Sequence, residues 1–215
     1  MVRAAESANR LSVLKKHLTL VNKENLFKPA VTFNEQSFRN CDMFNKNKLK
    51  LMEFFFEEPS REFYLRELSR LSGIAVTSVK NYLEELQEQS LITKNKGSIY
   101  PFFRADDNSR YRLYKMETLL NKIEESGLIE YLEEKTLPAC IVIYGSIRKG
   151  EYNKKSDIDL FIQSSETELE LEKFEKILKH GIHVLFESDL KKLNNGLLNN
   201  IINGICVAGY LNVLD

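Results

Sequence analysis

The sequence predicts a mixed α+β chain made of two units: a helical unit closed by a hairpin, then an α/β unit with a small mixed sheet. Three observations predict it. Apolar residues recur at helical spacing from residue 46 to about 92, then give way to two short runs around Asn95-Lys96-Gly97. After Pro138 come three β-branched apolar runs, ACIVIYG, SDIDLFIQ and GIHVLFE. A helical pattern, TELELEKFEKILKH, separates the second from the third, and strands alternating with helices point to α/β packing.

Residues 1–45 read as an N-terminal extension, with Leu11, Leu14 and Leu18 spaced for a short amphipathic helix over 6–21. Residues 46–104 read as one compact unit. KLKLMEFFFEE gives a first helix closed by Pro59, and Phe63, Tyr64, Leu65, Leu68 and Leu71 mark a second. Gly73 falls where a tight turn is needed. A third helix starts near Thr77, with Val79, Tyr82, Leu83 and Leu86 as its buried stripe. The two runs that follow make a hairpin.

Helix, helix, glycine turn, helix and basic hairpin is the order of a winged helix-turn-helix. In that arrangement Thr77, Ser78, Lys80 and Asn81 face the DNA major groove, and Lys94 and Lys96 approach phosphates. Glu84, Glu85 and Glu88 on the same helix would repel DNA if they faced it. Such units also serve as protein-contact modules or plain cores, because fold alone does not set function.

Residues 105–136 form a charged helical connector, with Tyr111, Tyr114, Leu119, Leu120 and Ile123 as packing residues and Gly127 as a break. The α/β unit spans 137–215. Its tail, NNIINGICVAGYLNVL, is apolar with two glycines and is compatible with either strand or helix.

Bulk charge points to no partner: 31 basic residues balance 31 acidic ones. No apolar run approaches the length of a membrane span, and the first residues lack the apolar core of a secretory signal. Cys41, Cys140 and Cys206 are far apart and form no CxxC pair, so neither a zinc ribbon nor a disulfide framework is indicated. Cys140 and Cys206 read as buried small residues, His17 and His180 as ordinary surface residues. A cytoplasmic location and no membrane partner are expected.

The chemistry concentrates in IYGSIRKGEYNKKSDIDL. Residues i and i+2 of a strand share a face, so Asp157 and Asp159 project to one side. Two carboxylates held so close repel each other unless a cation sits between them or they reach solvent. Hard oxygen ligands of this kind suit Mg²⁺, with Mn²⁺ as the substitute, together with substrate phosphates. Gly145-Ser146 closes the preceding strand, where a glycine lets backbone approach a ligand and the N–H groups of a following helix start can hold phosphate. Arg148 and Lys149 add positive charge, and Ser156 a further hydroxyl. The bland alternative is that the aspartates cap the chain or pair with Lys154, Lys155 or Arg148.

The pattern Gly145-Ser146, ten residues, then Asp157-Ile158-Asp159 resembles the nucleotidyltransferase superfamily that includes DNA polymerase beta, in particular the minimal nucleotidyltransferases of archaea and bacteria. The ending INGICVAGYLNVL is similar to archaeal members that carry an N-terminal winged helix. The resemblance covers residues 46–215 and implies a winged helix-turn-helix followed by a nucleotidyltransferase-like α/β domain. It implies transfer of a nucleoside monophosphate from a triphosphate, ATP being the expected one, to an acceptor. Asp157 and Asp159 would ligate the metal, and Gly145 and Ser146 would hold the triphosphate. Active members usually carry a third carboxylate on the next strand. Here that position falls on His183, a poor magnesium ligand but a competent base. Glu187 shares the strand face if the strand extends that far.

Three functions fit these residues. One is a Mg²⁺-dependent nucleotidyltransferase brought to double-stranded DNA or another acceptor by its winged helix. The second is a transcriptional regulator with a silent nucleotide-binding domain. The third is an antitoxin-like enzyme that adenylylates an acceptor protein.

Overall fold

The computed structural model describes residues 45–95, 100–211 and 213, which lie within one compact unit, Phe33–Asp215. The expected helix over 6–21, with His17 and Cys41, lies outside the described residues, as does Lys96.

The first half runs α1 (Lys46–Glu57), β1 (Phe63–Tyr64), α2 (Leu65–Ser72), α3 (Val76–Glu88), β2 (Ile92–Asn95) and β3 (Phe102–Ala105). Asn45 starts α1 by accepting from the Lys48 amide at 2.9 Å. Phe63 and Tyr64, expected in the second helix, instead pair antiparallel with Phe103 and Phe102. The helix starts one residue later, where the Tyr64 amide donates to Glu67 at 3.2 Å. Gly73 ends α2 with φ 69°, a conformation that costs a glycine little. The sheet order is β1-β3-β2. Leu51, Met52, Phe55, Phe56, Phe63, Leu68, Val79, Leu83 and Leu86 fill the core beneath it.

Two helices follow, α4 (Ser109–Glu125) and α5 (Leu128–Thr136), with Gly127 between them. They join the halves by packing. Tyr111 belongs to the first core and donates to the Phe55 carbonyl at 2.6 Å, while Leu119, Ile123, Leu128 and Leu132 belong to the second.

The second half holds β4 (Cys140–Tyr144), β5 (Ile158–Ile162), α6 (Glu172–Leu178), β6 (Ile182–Phe186), a 3-10 turn (Leu190–Lys192), α7 (Asn195–Ile202) and β7 (Ile205–Gly209). The undecided tail is thus both helix and strand. Its sheet order is β6-β5-β4-β7, with β5 and β6 parallel and the other pairs antiparallel. Alternation sorts the residues by face. Ile141, Ile143, Ile158, Leu160 and Ile162 pack toward α4, α5 and α6, whereas Val142, Tyr144 and Phe161 pack with Ile201 of α7. Cys140 is buried, which pushes its thiol up to about 12, and Cys206 is half-buried. Among the described residues no helix is long and apolar enough to cross a membrane.

Candidate functional site

The site grows from the register of the second sheet. Antiparallel pairing sets Tyr144, the last residue of β4, opposite Asp159. Parallel pairing sets Asp159 beside His183. Directly paired residues share a face, so Tyr144, Asp159 and His183 lie side by side at one end of the sheet, on its α7 face. Asp157 immediately precedes β5. Its Oδ1 lies 2.5 Å from where a Cβ on Gly181 would stand, two residues before His183. The two carboxylates therefore project to the same side.

Gly145 follows Tyr144 with φ 75°, and a side chain there would overlap the Asp159 carboxylate. The glycine thus does two things: it turns the chain through the left-handed region and makes room for the acid. The expected helix after Gly145-Ser146 is not present. Residues 145–150 form successive turns, in which Lys149 and Glu151 donate to the Ser146 carbonyl at 3.2 and 3.0 Å and Gly150 to Ile147 at 2.9 Å. The chain reverses within these few residues, and Gly150 packs against the Arg112 backbone too closely for a side chain. Ser146 is half-buried and Ile147 is buried, while Arg148 and Lys149 are exposed. Ser156 closes the loop, its amide donating to Asn153 at 2.9 Å and its Oγ accepting from the Asn153 amide at 3.0 Å.

His183 Nδ1 lies 3.6 Å from Asp159 Oδ1 on an exposed side chain. Burial holds the Asp159 carboxyl above the usual carboxylate range. The His183 ring opposes that shift and the charge of Asp157 adds to it. Burial also raises the Tyr144 phenol, with Asp159 contributing. Of the alternative partners of the aspartates, Lys154 pairs instead with Glu58 at 3.2 Å. Glu187 is out of reach of the acids. It lies beyond the far end of β6, four residues from His183 and so about 13 Å along the strand. There it accepts from the Asp189 amide at 3.0 Å and pairs with Lys192 at 3.7 Å. Among the described residues no three His, Cys, Asp or Glu side chains gather as a ready-made metal group. The donors that would suit Mg²⁺ are the two carboxylates, hard oxygen ligands, with Asp159 beside the bare backbone of Gly145 and Asp157 beside that of Gly181.

His180 corrects the surface reading. It is 5% exposed. Its Nδ1 lies 2.8 Å from the Ser156 carbonyl, its Nε2 lies 3.6 Å from Glu57, and its ring meets that of Tyr152 edge-on. A histidine in a charged segment carries no sequence sign of burial when its partner is on a distant helix. Tyr144, Gly181 and Glu57 were missed for the same reason: register and packing bring them to the site.

In the first half, Thr77, Lys80 and Asn81 of α3 are exposed and Ser78 is half-buried. Lys80 lies 3.8 Å from Glu84, and Glu85 is turned toward α1 by its ion pair with Lys48. Lys94 is half-buried, 5.7 Å from the Phe103 ring centre.

Residues 126–209 match the family model described as polymerase beta, nucleotidyltransferase. The match takes in α5 and all four strands of the second sheet, and with them Gly145, Ser146, Asp157, Asp159 and His183. No curated protein and no solved structure matches the chain.

Proposed function

We propose that this protein is a Mg²⁺-dependent nucleotidyltransferase that moves a nucleoside monophosphate from a triphosphate to a hydroxyl acceptor. The observation that carries the reading is that Asp159 lies against the bare backbone of Gly145, and Asp157 against that of Gly181, at one sheet end. Asp157 and Asp159 would hold the metal, which when bound neutralises phosphate charge and aligns the attacking and leaving oxygens. Gly145 and Ser146 bind the triphosphate through backbone N–H and hydroxyl groups. Arg148 and Lys149, exposed on the turn, neutralise its β- and γ-phosphates. The acceptor oxygen forms a bond to the α-phosphorus as the bond to the β-phosphate oxygen breaks, and pyrophosphate leaves. The acceptor proton passes to His183, whose ring lies beside Asp159 at the position that the resemblance assigns to a third carboxylate.

The first half fits a winged helix-turn-helix, since α2, the Gly73 turn, α3 and the β2–β3 hairpin follow in that order. In this reading α3 presents Thr77, Ser78, Lys80 and Asn81 to double-stranded DNA. Lys94, with Lys96 outside the described residues, meets phosphates. Incubation with ATP, CTP, GTP or UTP labelled at the α-phosphate, with Mg²⁺ and cell extract, tests the enzyme. Label should pass to nucleic acid, to a partner protein or to the chain itself, and Asp157→Asn should abolish it.

A second reading is favoured by His183 itself: imidazole in place of a third carboxylate suits a DNA-bound regulator that senses a nucleotide without turning it over. That reading expects no label, together with salt-dependent DNA binding whose slope falls by about 1 on Lys80→Ala. An acceptor protein in place of nucleic acid is distinguished by which fraction of the extract takes the label.

A further inference from the structure

We propose that His180 is a positioning residue that sets Asp157 for cation binding, and that Glu57 of the helical half holds it in that role. The inference rests on the metal role proposed above for Asp157. The Asp157 side chain is exposed, so packing does not orient it. Its placement comes from its neighbours. The Ser156 carbonyl, just before it, lies 2.8 Å from His180 Nδ1. A carbonyl only accepts, so Nδ1 carries a hydrogen and donates. The Ile158 amide, just after it, donates to the Gly181 carbonyl at 2.8 Å, and Gly181 follows His180 in the chain. The carboxylate itself rests against the space left by the missing side chain of Gly181. One dipeptide, His180-Gly181, therefore holds the residue before Asp157, the residue after it and the space beside its carboxylate.

His180 is held in turn from the other half of the molecule. Its Nε2 is buried without a hydrogen-bond partner, and the Glu57 carboxylate is 3.6 Å away at the last turn of α1. The loop that leads into Asp157 is fastened to the same side. The Lys154 amide donates to the Glu57 carbonyl at 3.1 Å, Tyr152 donates to the Lys115 carbonyl at 2.9 Å, and Arg112 reaches Glu151 at 3.2 Å. A shift of α1 against the second sheet is thereby transmitted to the residue that grips the cation, which couples the helical half to the site.

The test is the affinity of the full-length chain for Mn²⁺ alone, read from free Mn²⁺ by electron paramagnetic resonance, with thermal unfolding recorded on each variant. Asp157→Asn should abolish binding. His180→Leu should weaken it roughly tenfold, the usual cost of removing a group that orients a ligand. His180→Asn, whose amide nitrogen can still donate to Ser156, should recover most of that loss, and a purely structural role predicts no such rescue. Glu57→Gln should weaken binding several-fold at temperatures where it is fully folded. Should His180→Leu fail to fold, Glu57→Gln and His180→Asn decide, and wild-type affinity in Glu57→Gln overturns the proposal. Wild-type affinity in both His180→Leu and Glu57→Gln, with Asp157→Asn silent, also overturns it and leaves the metal role standing. Wild-type affinity in Asp157→Asn overturns the metal role itself.

Discussion

The carboxylate of Asp159 occupies the space that a side chain on Gly145 would need. Strand pairing explains the contact. Asp159 sits opposite Tyr144, so the next residue of β4's chain passes beside the acid as it turns away.

Gly145→Ala should therefore do two separate kinds of damage. The left-handed φ of 75° should cost about 1–2 kcal/mol of stability in a residue with a side chain. The new methyl should also push Asp159 aside and weaken Mn²⁺-dependent binding of a fluorescent nucleotide roughly tenfold. Denaturant unfolding and a binding titration separate the two effects. A variant that loses stability but keeps full nucleotide affinity would show that Asp159 does not need that space.

His183→Asp tests the role of the third position. A carboxylate in register with Asp159 should repel it in the metal-free protein, lowering stability by about 1 kcal/mol. It should also bind divalent cation more tightly, so Mn²⁺ should restore more stability to this variant than to wild type. Unfolding curves with and without Mn²⁺ read both signs.

Much of this site was legible in the sequence, and the rest was not, for identifiable reasons. Alternation in SDIDLFI was enough to put Asp157 and Asp159 on one side of a strand, because period 2 is a local property. The partner of Asp159 was legible too, since His183 sits at the matching place in GIHVLFE. The missing helix after Ser146 was not, because Gly150 ends the turns with a left-handed φ and packs on the Arg112 backbone of a helix distant in sequence. Phe63 and Tyr64 look helical beside Leu65 and Leu68, and two residues are too few to display a strand period. The burial of His180 depends on Glu57, and nothing near either residue announces the other. The tail carried no period that separates helix from strand; Ile201 of α7 packs on one face of the sheet, whereas Ala208 lies within it, paired with Ile141 of β4.

The seam should respond to pH through Glu57 and His180. The neighbouring Glu57 carboxylate raises the His180 pKa above 6.5 against the effects of burial and Lys122. Burial would raise the Glu57 carboxyl, but His180, Lys122 and Lys115 together hold it below 4.5. A raised histidine contributes its stability below 6.5 and loses it as pH climbs through the folded value. A depressed carboxylate loses its contribution as pH falls through its own folded value. The advantage of wild type over Glu57→Gln should thus be largest near pH 5–6 and shrink in both directions. It should be on the order of 1 kcal/mol, because the Glu57 side chain is 35% exposed and water screens the pair. Melting temperatures of both proteins across pH 4–8 check it.

Lys115 should act in the opposite direction. It is 1% exposed, and burial lowers its ammonium to about 8, with Glu57 and Asp107 opposing the shift. Between about 8 and 10.5 the unfolded chain holds a proton that the folded chain has released, so this group's contribution to stability rises with pH. Lys115 donates to the Tyr152 carbonyl and lies 4.5 Å from the Tyr152 ring centre. Lys115→Met should leave that carbonyl unpaired, cost about 1–3 kcal/mol at pH 7, and flatten the rise from pH 8 to 10. Urea unfolding at several pH values reads both.

The most direct test of the central claim is transfer of α-phosphate label from a nucleoside triphosphate, comparing wild type with Asp159→Asn in cell extract. The account predicts label in wild type only when Mg²⁺ or Mn²⁺ is present, and none in the variant although it folds. Equal labelling by the variant, or a wild type that binds Mn²⁺ and nucleotide yet passes on no label from ATP, CTP, GTP or UTP, would contradict it.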